Sequence, residues 1–420
     1  MNQAANAIST KRANWMLALL TLTFTFNFVD RQILIILQEP IRNELLLSDT
    51  QLGLLTGLAF VVMYVTVGLP IAHFADRSNR RNIVSLSIFL WSVMTAVTGL
   101  AQQFWQLLLF RIGVSIGEAG GTPPSHSIIA DIFPPEKRAT ALSIFQTGPS
   151  IGILIGFIIG GWVGQLYGWR TAFIVAAIPG IGLALLLFFS TSEPVRKKNT
   201  DGLVHNPPLL EGIRYLFSVP SFRTVALAMA IAHFSIFGVM NFTPSFLIRS
   251  YNLSLTEVAT TLALIYGIGG GIGTILIGVF ADRMAKRDPR WRIWLVSLCT
   301  IIAFIACLGA YLFHSPLLSI CFYAVVAICA VSTQGIIFGT LQLVIKSRSH
   351  ALLTSVIFFS NNLFGLGLGP LFVGMVSDAS RPHFGNESVR FALILCATGF
   401  LIAAPLYLRA AKSLRNDLLS

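Results

Sequence analysis

The sequence predicts an all-α membrane protein with twelve transmembrane helices in two six-helix bundles. Three observations carry this prediction. Apolar residues make up 55% of the 420-residue chain and charged residues only 11%, and the mean hydropathy is +0.77. A water-soluble chain of this length carries far more surface charge. Apolar runs long enough to cross a bilayer, about 20 residues each, recur some twelve times. Finally, the block Phe74-Ala75-Asp76-Arg77-Ser78-Asn79-Arg80-Arg81 returns 206 residues later as Phe280-Ala281-Asp282-Arg283-Met284-Ala285-Lys286-Arg287. Duplication inside a hydrophobic chain points to a transporter more than to an enzyme or receptor.

In chain order the spans are 14–37, 50–73, 82–101, 105–130, 138–166, 170–190, 222–247, 256–281, 293–313, 316–345, 351–377 and 388–410. No small-residue cleavage site follows the first span, so it reads as a retained helix and not a signal peptide. The repeated block is a basic loop between the second and third spans of each half. In the fifth span Gly148, Gly152, Gly156, Gly160, Gly164 and Gly168 recur every fourth residue, on one helical face that lets another backbone come close. Static packing and a sliding surface both fit that stripe. Glycines also crowd the eighth span (Gly267, Gly269, Gly270, Gly271, Gly273, Gly278) and the eleventh (Gly365, Gly367, Gly369, Gly374).

The halves divide at 191–221, where Ser192-Glu193-Pro194, Arg196-Lys197-Lys198 and Asn206-Pro207-Pro208 read as a cytoplasmic linker. The expected bundles are therefore 1–190 and 222–420. Leu209 to Phe217 carries apolar residues at helical spacing. It is either a short helix on the inner membrane surface or an ordinary linker helix.

The net charge of +12 and the pI near 9.9 do not imply nucleic acid. Lys11, Arg12, Arg77, Arg80, Arg81, Lys137, Arg138, Lys197, Arg283, Arg287, Arg409, Lys412 and their neighbours all fall on one side of the twelve spans. The other side offers Arg42, Arg170, Arg249, Arg381 and Arg390. This asymmetry follows the positive-inside pattern and predicts two cytoplasmic termini. The five cysteines (Cys299, Cys307, Cys321, Cys329, Cys396) form no CxxC pair and no metal spacing, and read as small buried thiols. No phosphate loop or nucleophile–base pair is present, and Ser125-His126 has no third partner. The chain is not expected to be an enzyme or to hold a metal or cofactor.

The candidate site lies in the few ionisable residues within spans: Asp30 and Arg31 in the first, Arg111 and Glu118 in the fourth. Intramembrane charges are costly, so they tend to face a cavity, pair and carry function. At 1.5 Å per residue, Asp30 lies about 12 Å from the outer end of its span and Arg111 about 9 Å below the same surface. The two form an ion pair if their helices are neighbours. Glu118 follows Arg111 by seven residues, two turns down the same face. A carboxyl at that depth, removed from water, suits the loading and release of a proton. The competing reading is structural: Glu118 hydrogen-bonded to a nearby helix, or Arg111 simply holding Asp30. Arg31 is expected to snorkel to the interface.

The second half offers the polar residues His233, Asn241, Gln334, Asn361 and Asn362. His126 and His233 read first as structural histidines, with His233 the one that faces a cavity. Asp76, Arg77, Arg80, Arg81, Asp282 and Arg283, at the membrane edge, are expected to gate the inner side.

These residues resemble the major facilitator superfamily. Ala72-x3-Asp76-Arg77-x2-Arg80-Arg81 is similar to its loop motif, with Ala72 and Asn79 where glycine is usual. Gly278-x3-Asp282-Arg283-x2-Lys286-Arg287 keeps the leading glycine, and Gly148-Pro149 through Gly160-Gly161 resembles the fifth-span motif. The resemblance covers essentially the whole chain and implies two six-helix bundles, a central site and alternating access. Asn27-Phe28-Val29-Asp30-Arg31, Arg111-x5-Gly117-Glu118-Ala119, Ile129-Ala130-Asp131-x-Phe133 and Leu142-Ser143-Ile144-Phe145 further resemble the Spinster family, whose better-known animal members export lysolipids or sphingosine-1-phosphate. That resemblance implies that Asp30, Arg111 and Glu118 serve proton sensing and polar-headgroup binding.

The expectation is thus a monomeric, proton-coupled transporter of the bacterial inner membrane moving an amphiphilic, lipid-like substrate. Arg111 takes the anionic headgroup and Asp30 balances it in the empty state. Glu118 is the first proton site and Asp30 the second. Phenylalanines such as Phe237, Phe358 and Phe364 in the seventh and eleventh spans would supply an apolar wall, although lipid-facing phenylalanine is ordinary. The rival within the superfamily is a proton-linked organic-anion or sugar-acid symporter, and the rival of another class is a channel-like or regulatory membrane protein.

Overall fold

In the computed structural model, residues 9–75, 77–195, 209–345 and 349–419 are described, and among them every regular element is helical. Among these described residues ten helices are long and apolar enough to cross a membrane. The two remaining expected spans are accounted for by a break and a fusion. The run Leu352–Arg415 holds the eleventh and twelfth spans together. They part at Gly385, whose φ of +55° opens the turn between helices Gly369–Phe384 and Ser388–Leu419.

The fourth span is not one rod. Helix Phe104–Ala119 ends one residue after Glu118, and helix Thr122–Ile132 restarts beyond Gly120 and Gly121. The cause is local: Pro123 and Pro124 supply no N–H and disfavour helical backbone before them. Close packing reinforces the break, since a Cβ at Gly121 would stand 3.3 Å from the Trp91 ring.

Short π-helical stretches interrupt three spans, at Leu54–Leu58, Leu264–Gly269 and Asn361–Leu368. Each contains glycine, and each leaves a wide turn in an otherwise regular rod.

The chain groups into two compact units. The first comprises Met1–Leu47, Ala59–Gly202 and Ser254–Ala263, and the second Ser48–Leu58, Leu203–Leu253 and Leu264–Ser420. Within the first, helix Gly148–Tyr167 lies along helix Thr10–Ile36. The glycine stripe explains how: added Cβ atoms at Gly148 and Gly156 would each meet a backbone oxygen of the first helix, of Thr21 and Val29, at 3.0 Å. Gly168 departs from the stripe. With φ +85° it ends the helix instead of packing it. A core of Leu19, Leu20, Ile88, Trp91, Val114, Ile128 and Phe145 joins the first helix to helices Arg80–Thr98, Phe104–Ala119, Thr122–Ile132 and Pro135–Phe145.

At the ends of this unit's spans, Glu44 accepts from Trp169 Nε1 at 2.6 Å and also pairs with Arg170. The Trp169 N–H, aided by the Arg170 guanidinium, holds the Glu44 carboxyl below its ordinary value of 4.5.

In the second unit, helix Pro220–Tyr251 packs along Ser388–Leu419, and Trp291–Leu312 lies between Pro316–Val344 and Ser388–Leu419. The short helix expected within the linker is present as Leu209–Ser218 and buries Leu216 in this unit. Apolar side chains left exposed, such as Phe189, Ile275 and Leu276, suit contact with lipid.

Candidate functional site

In helix Thr10–Ile36, Asn27, Asp30 and Arg31 are spaced to share one face. Asn27 and Asp30 are buried, and Arg31 reaches across to helix Phe104–Ala119. There its Nε donates to Glu118 Oε2 at 2.9 Å, and a terminal guanidinium nitrogen lies 2.8 Å from the same oxygen. Glu118 is fully buried, and its Oε1 has no partner among the described residues.

Aromatic rings shape the rest of the site. The Arg31 guanidinium lies 4.7 Å from the Phe60 centroid, with Phe28 at 5.3 Å and Tyr64 at 5.4 Å. Arg111 lies 4.5 Å from the same Phe60 ring. Ser115 Oγ, one turn after Arg111, donates to the Phe60 carbonyl at 2.6 Å and ties helix Ala59–Ala75 to this position. Two guanidinium groups at one ring repel each other, and the nearby carboxyls of Asp30 and Glu118 offset that repulsion. Asp30 feels the charges of both Glu118 and Arg111, with Thr95 of the third span beside it.

Two expectations need correction. Arg31 does not snorkel: its side chain is only 17% exposed, because a buried carboxylate and aromatic faces hold it. A desolvated cation–π contact contributes about 2 kcal/mol. Nor do Asp30 and Arg111 form an ion pair within contact distance. Among the described residues Arg111 makes no salt bridge, and its Nε is buried without a partner. The close pair is Arg31–Glu118.

The polar residues expected in the second half divide into two groups. His233 is buried, with Nδ1 2.9 Å from the Met229 carbonyl. Asn361 is 5% exposed, and both polar atoms of its amide lack partners among the described residues. Its π-helical stretch packs on the helix of His233, where Gly365 meets the His233 backbone. Gln334 is half-buried, and Asn362 donates to the Phe358 carbonyl at 2.8 Å. Asn241 differs. It is buried and accepts from Thr56 at 2.9 Å, inside the second unit.

Of the expected gating residues, Asp76 lies outside the described residues. Arg77 and Arg283 are exposed, and Asp282 lies 3.2 Å from Arg292. Arg80 is almost fully buried. It bonds Glu193 and Ser127 at 2.8 Å each, and also reaches Asp131 and the Pro194 carbonyl. Arg81 adds its backbone N–H to Glu193 and stacks 4.7 Å from the Phe188 centroid. Sequence reasoning missed Phe60, Tyr64, Thr95 and Ser115. The one trace they left was Phe60 and Tyr64 at a spacing of four.

A helical membrane fold with a buried, charge-compensated polar cluster fits a transporter of small solutes. The chain belongs to the Major Facilitator Superfamily, whose pattern it matches over residues 20–370, and within it to the Spinster-type transporters. It is similar to the crystal structure of a bacterial homologue of the human lysosomal transporter Spinster in an inward-facing, unoccupied conformation. That match has a TM-score of 0.89 and 31% identity, and covers 98% of this chain and 99% of that one. It is 32% identical over 410 residues to an MFS-type efflux pump of Mycolicibacterium smegmatis, covering 97% of this chain and 95% of that protein. It is 26% identical over 418 residues to a probable L-galactonate transporter of Escherichia coli, covering 95% and 90% of the two chains.

Proposed function

We propose that the chain is a proton-coupled secondary transporter that moves an amphiphilic, lipid-like substrate of lysophospholipid or sphingoid type by alternating access. The observation that carries this reading is the buried grip of Arg31 on Glu118, which leaves Glu118 Oε1 and Arg111 Nε unpartnered in one cluster. Ionised Glu118 occupies Arg31. A proton on Glu118 removes its charge and frees guanidinium capacity for an anionic headgroup, so the Glu118 carboxylate and the substrate anion compete for the same cations and the proton favours substrate binding. Arg111 is the headgroup residue, Glu118 the first proton site and Asp30 the second. His233, Gln334 and Asn361 of the second unit are further residues proposed for polar contacts with the substrate, whose tail takes apolar surface. Asn241, held by Thr56, serves the fold of the second unit before it serves the substrate.

Two bundles, 1–190 and 222–420, joined by 191–221, carry the cycle. Asp76, Arg77, Arg80, Arg81, Asp282 and Arg283 gate it. The basic loops support a reading with both termini in the cytoplasm of a bacterial cell and the chain acting as a monomer in the inner membrane.

The L-galactonate relative favours a second reading, a proton-linked sugar-acid symporter using the same Arg111 and Glu118. Proteoliposomes under an imposed pH gradient separate the two. Gradient-dependent movement of a labelled lysophospholipid is the expected result. Movement of a labelled sugar acid alone would overturn the lipid assignment and keep the proton site.

A further inference from the structure

Segment Ser48–Leu58 is bound into the second unit by charges that the substrate site does not use. The Asp49 side chain is fully buried. Its carboxylate accepts from the two terminal guanidinium nitrogens of Arg249 at 2.8 and 2.6 Å, and from Ser377 Oγ at 2.6 Å. The grip is reciprocal. The two carboxylate oxygens of Asp378 accept from the backbone N–H groups of Asp49 and Thr50 at 3.0 and 2.7 Å, and so satisfy first-turn donors of the short helix Asp49–Gly53. Backbones then meet directly, since a Cβ at Gly57 would stand 2.7 Å from the carbonyls of Leu366 and Gly367.

This segment ends at a π turn. Leu54–Leu58 is π-helical, and Ala59 is the first residue grouped again with the first unit. The eighth span repeats the arrangement in reverse. Ser254–Ala263 groups with the first unit, where Trp162 Nε1 donates to Thr260 and Gln165 accepts from the Thr256 N–H, and Leu264 opens the π turn Leu264–Gly269. A wide turn without regular i to i−4 bonding is where a helix bends at least cost. In both spans it sits at the residue where the chain passes from one unit to the other.

We propose that the second span is hinged at Leu54–Leu58 and that Asp49, Arg249, Ser377 and Asp378 form a latch holding its end segment on the second unit. While the latch is closed, Ser48–Leu58 moves with the second unit. When it opens, the segment follows the rest of its own span. The eighth-span counterpart is held by neutral hydrogen bonds, so the charged latch is the stronger of the two holds. This inference rests on these hydrogen bonds and π turns and on no substrate or proton.

Peptide-resolved hydrogen exchange of the purified full-length protein tests it, comparing wild type with Asp378→Ala and with Arg249→Lys. Exchange across 49–58 is expected to quicken about tenfold in both variants. Ala59–Ala75 and the reference helix Gly148–Tyr167 should keep wild-type rates. Unchanged exchange over 49–58 would overturn the latch. An equal rise running on through Ala59–Ala75 would overturn the hinge.

Discussion

Arg31 and Glu118 meet 87 positions apart in sequence, with Arg31 Nε 2.9 Å from Oε2 and the second carboxylate oxygen unpartnered. Removing one member of a buried pair exposes the other to the full cost of an unpaired charge, about 3–5 kcal/mol. Neutralising Glu118 without changing its shape is therefore the gentlest probe of the site.

Glu118→Gln keeps the volume and one acceptor for Arg31 while removing the titration. Proteoliposome uptake measured from pH 5 to 8 is expected to lose its pH dependence, with the size-exclusion profile unchanged. PH-driven transport at the wild-type rate would remove Glu118 from coupling.

Arg111→Ala takes away a guanidinium that holds no ion pair among the described residues, so the fold should tolerate it. Affinity for an anionic lysolipid should fall by about 1.5–3 kcal/mol, as expected for a lost charge-assisted hydrogen bond. Affinity for an uncharged analogue should stay near wild type. Equal losses for both ligands would assign Arg111 to structure.

Glycine packing in the first unit can be tested at two positions of opposite character. A Cβ at Gly156 would stand 2.9 Å from Gln32 Cβ, whereas one at Gly182 would meet nothing within 4 Å. Gly156→Ala should destabilise by about 1–3 kcal/mol through overpacking. Gly182→Ala, in the interior of helix Trp169–Ser190, should stabilise by about 0.5–1 kcal/mol. Thermal unfolding in detergent reads both, and stabilisation by Gly156→Ala would refute the close approach of the fifth and first spans.

Glu44 gives a pH prediction outside the membrane. Its folded-state value is depressed, so the folded protein holds this proton less tightly than the unfolded chain does. The resulting stabilisation is fully present above the ordinary value of 4.5 and is lost as pH falls through the lower folded value. Glu44→Gln should lower the melting temperature near pH 7, and the gap from wild type should close toward pH 3. A gap of constant size would show that the carboxyl does not titrate against Trp169 and Arg170.

Hydropathy revealed the spans because hydrocarbon demands about 20 apolar residues and tolerates few charges. It could not reveal the break after Glu118. Averaging over a window smooths out Gly120-Gly121-Thr122-Pro123-Pro124, although the breakers stand in plain sequence. Asp30, Arg111 and Glu118 were legible as candidates because a charge at that depth is conspicuous. The true partner of Glu118 was not, since the direction of Arg31 depends on where Phe60 and Tyr64 of another span place their rings. The pairing of Asp49 with Arg249, 200 positions apart, left no trace in spacing or composition.

The interruption of the fourth span also changes the field at its carboxyl. Glu118 stands in the final turn of helix Phe104–Ala119, at the end where aligned peptide dipoles present partial negative charge. The next helix begins with Thr122, Pro123 and Pro124, and the two prolines bring no N–H to counter that charge. In an unbroken rod Glu118 would sit mid-helix, beyond the reach of either terminus. The local backbone brings no positive pole to this carboxyl, and the Arg31 guanidinium of another span supplies the positive charge in contact with it.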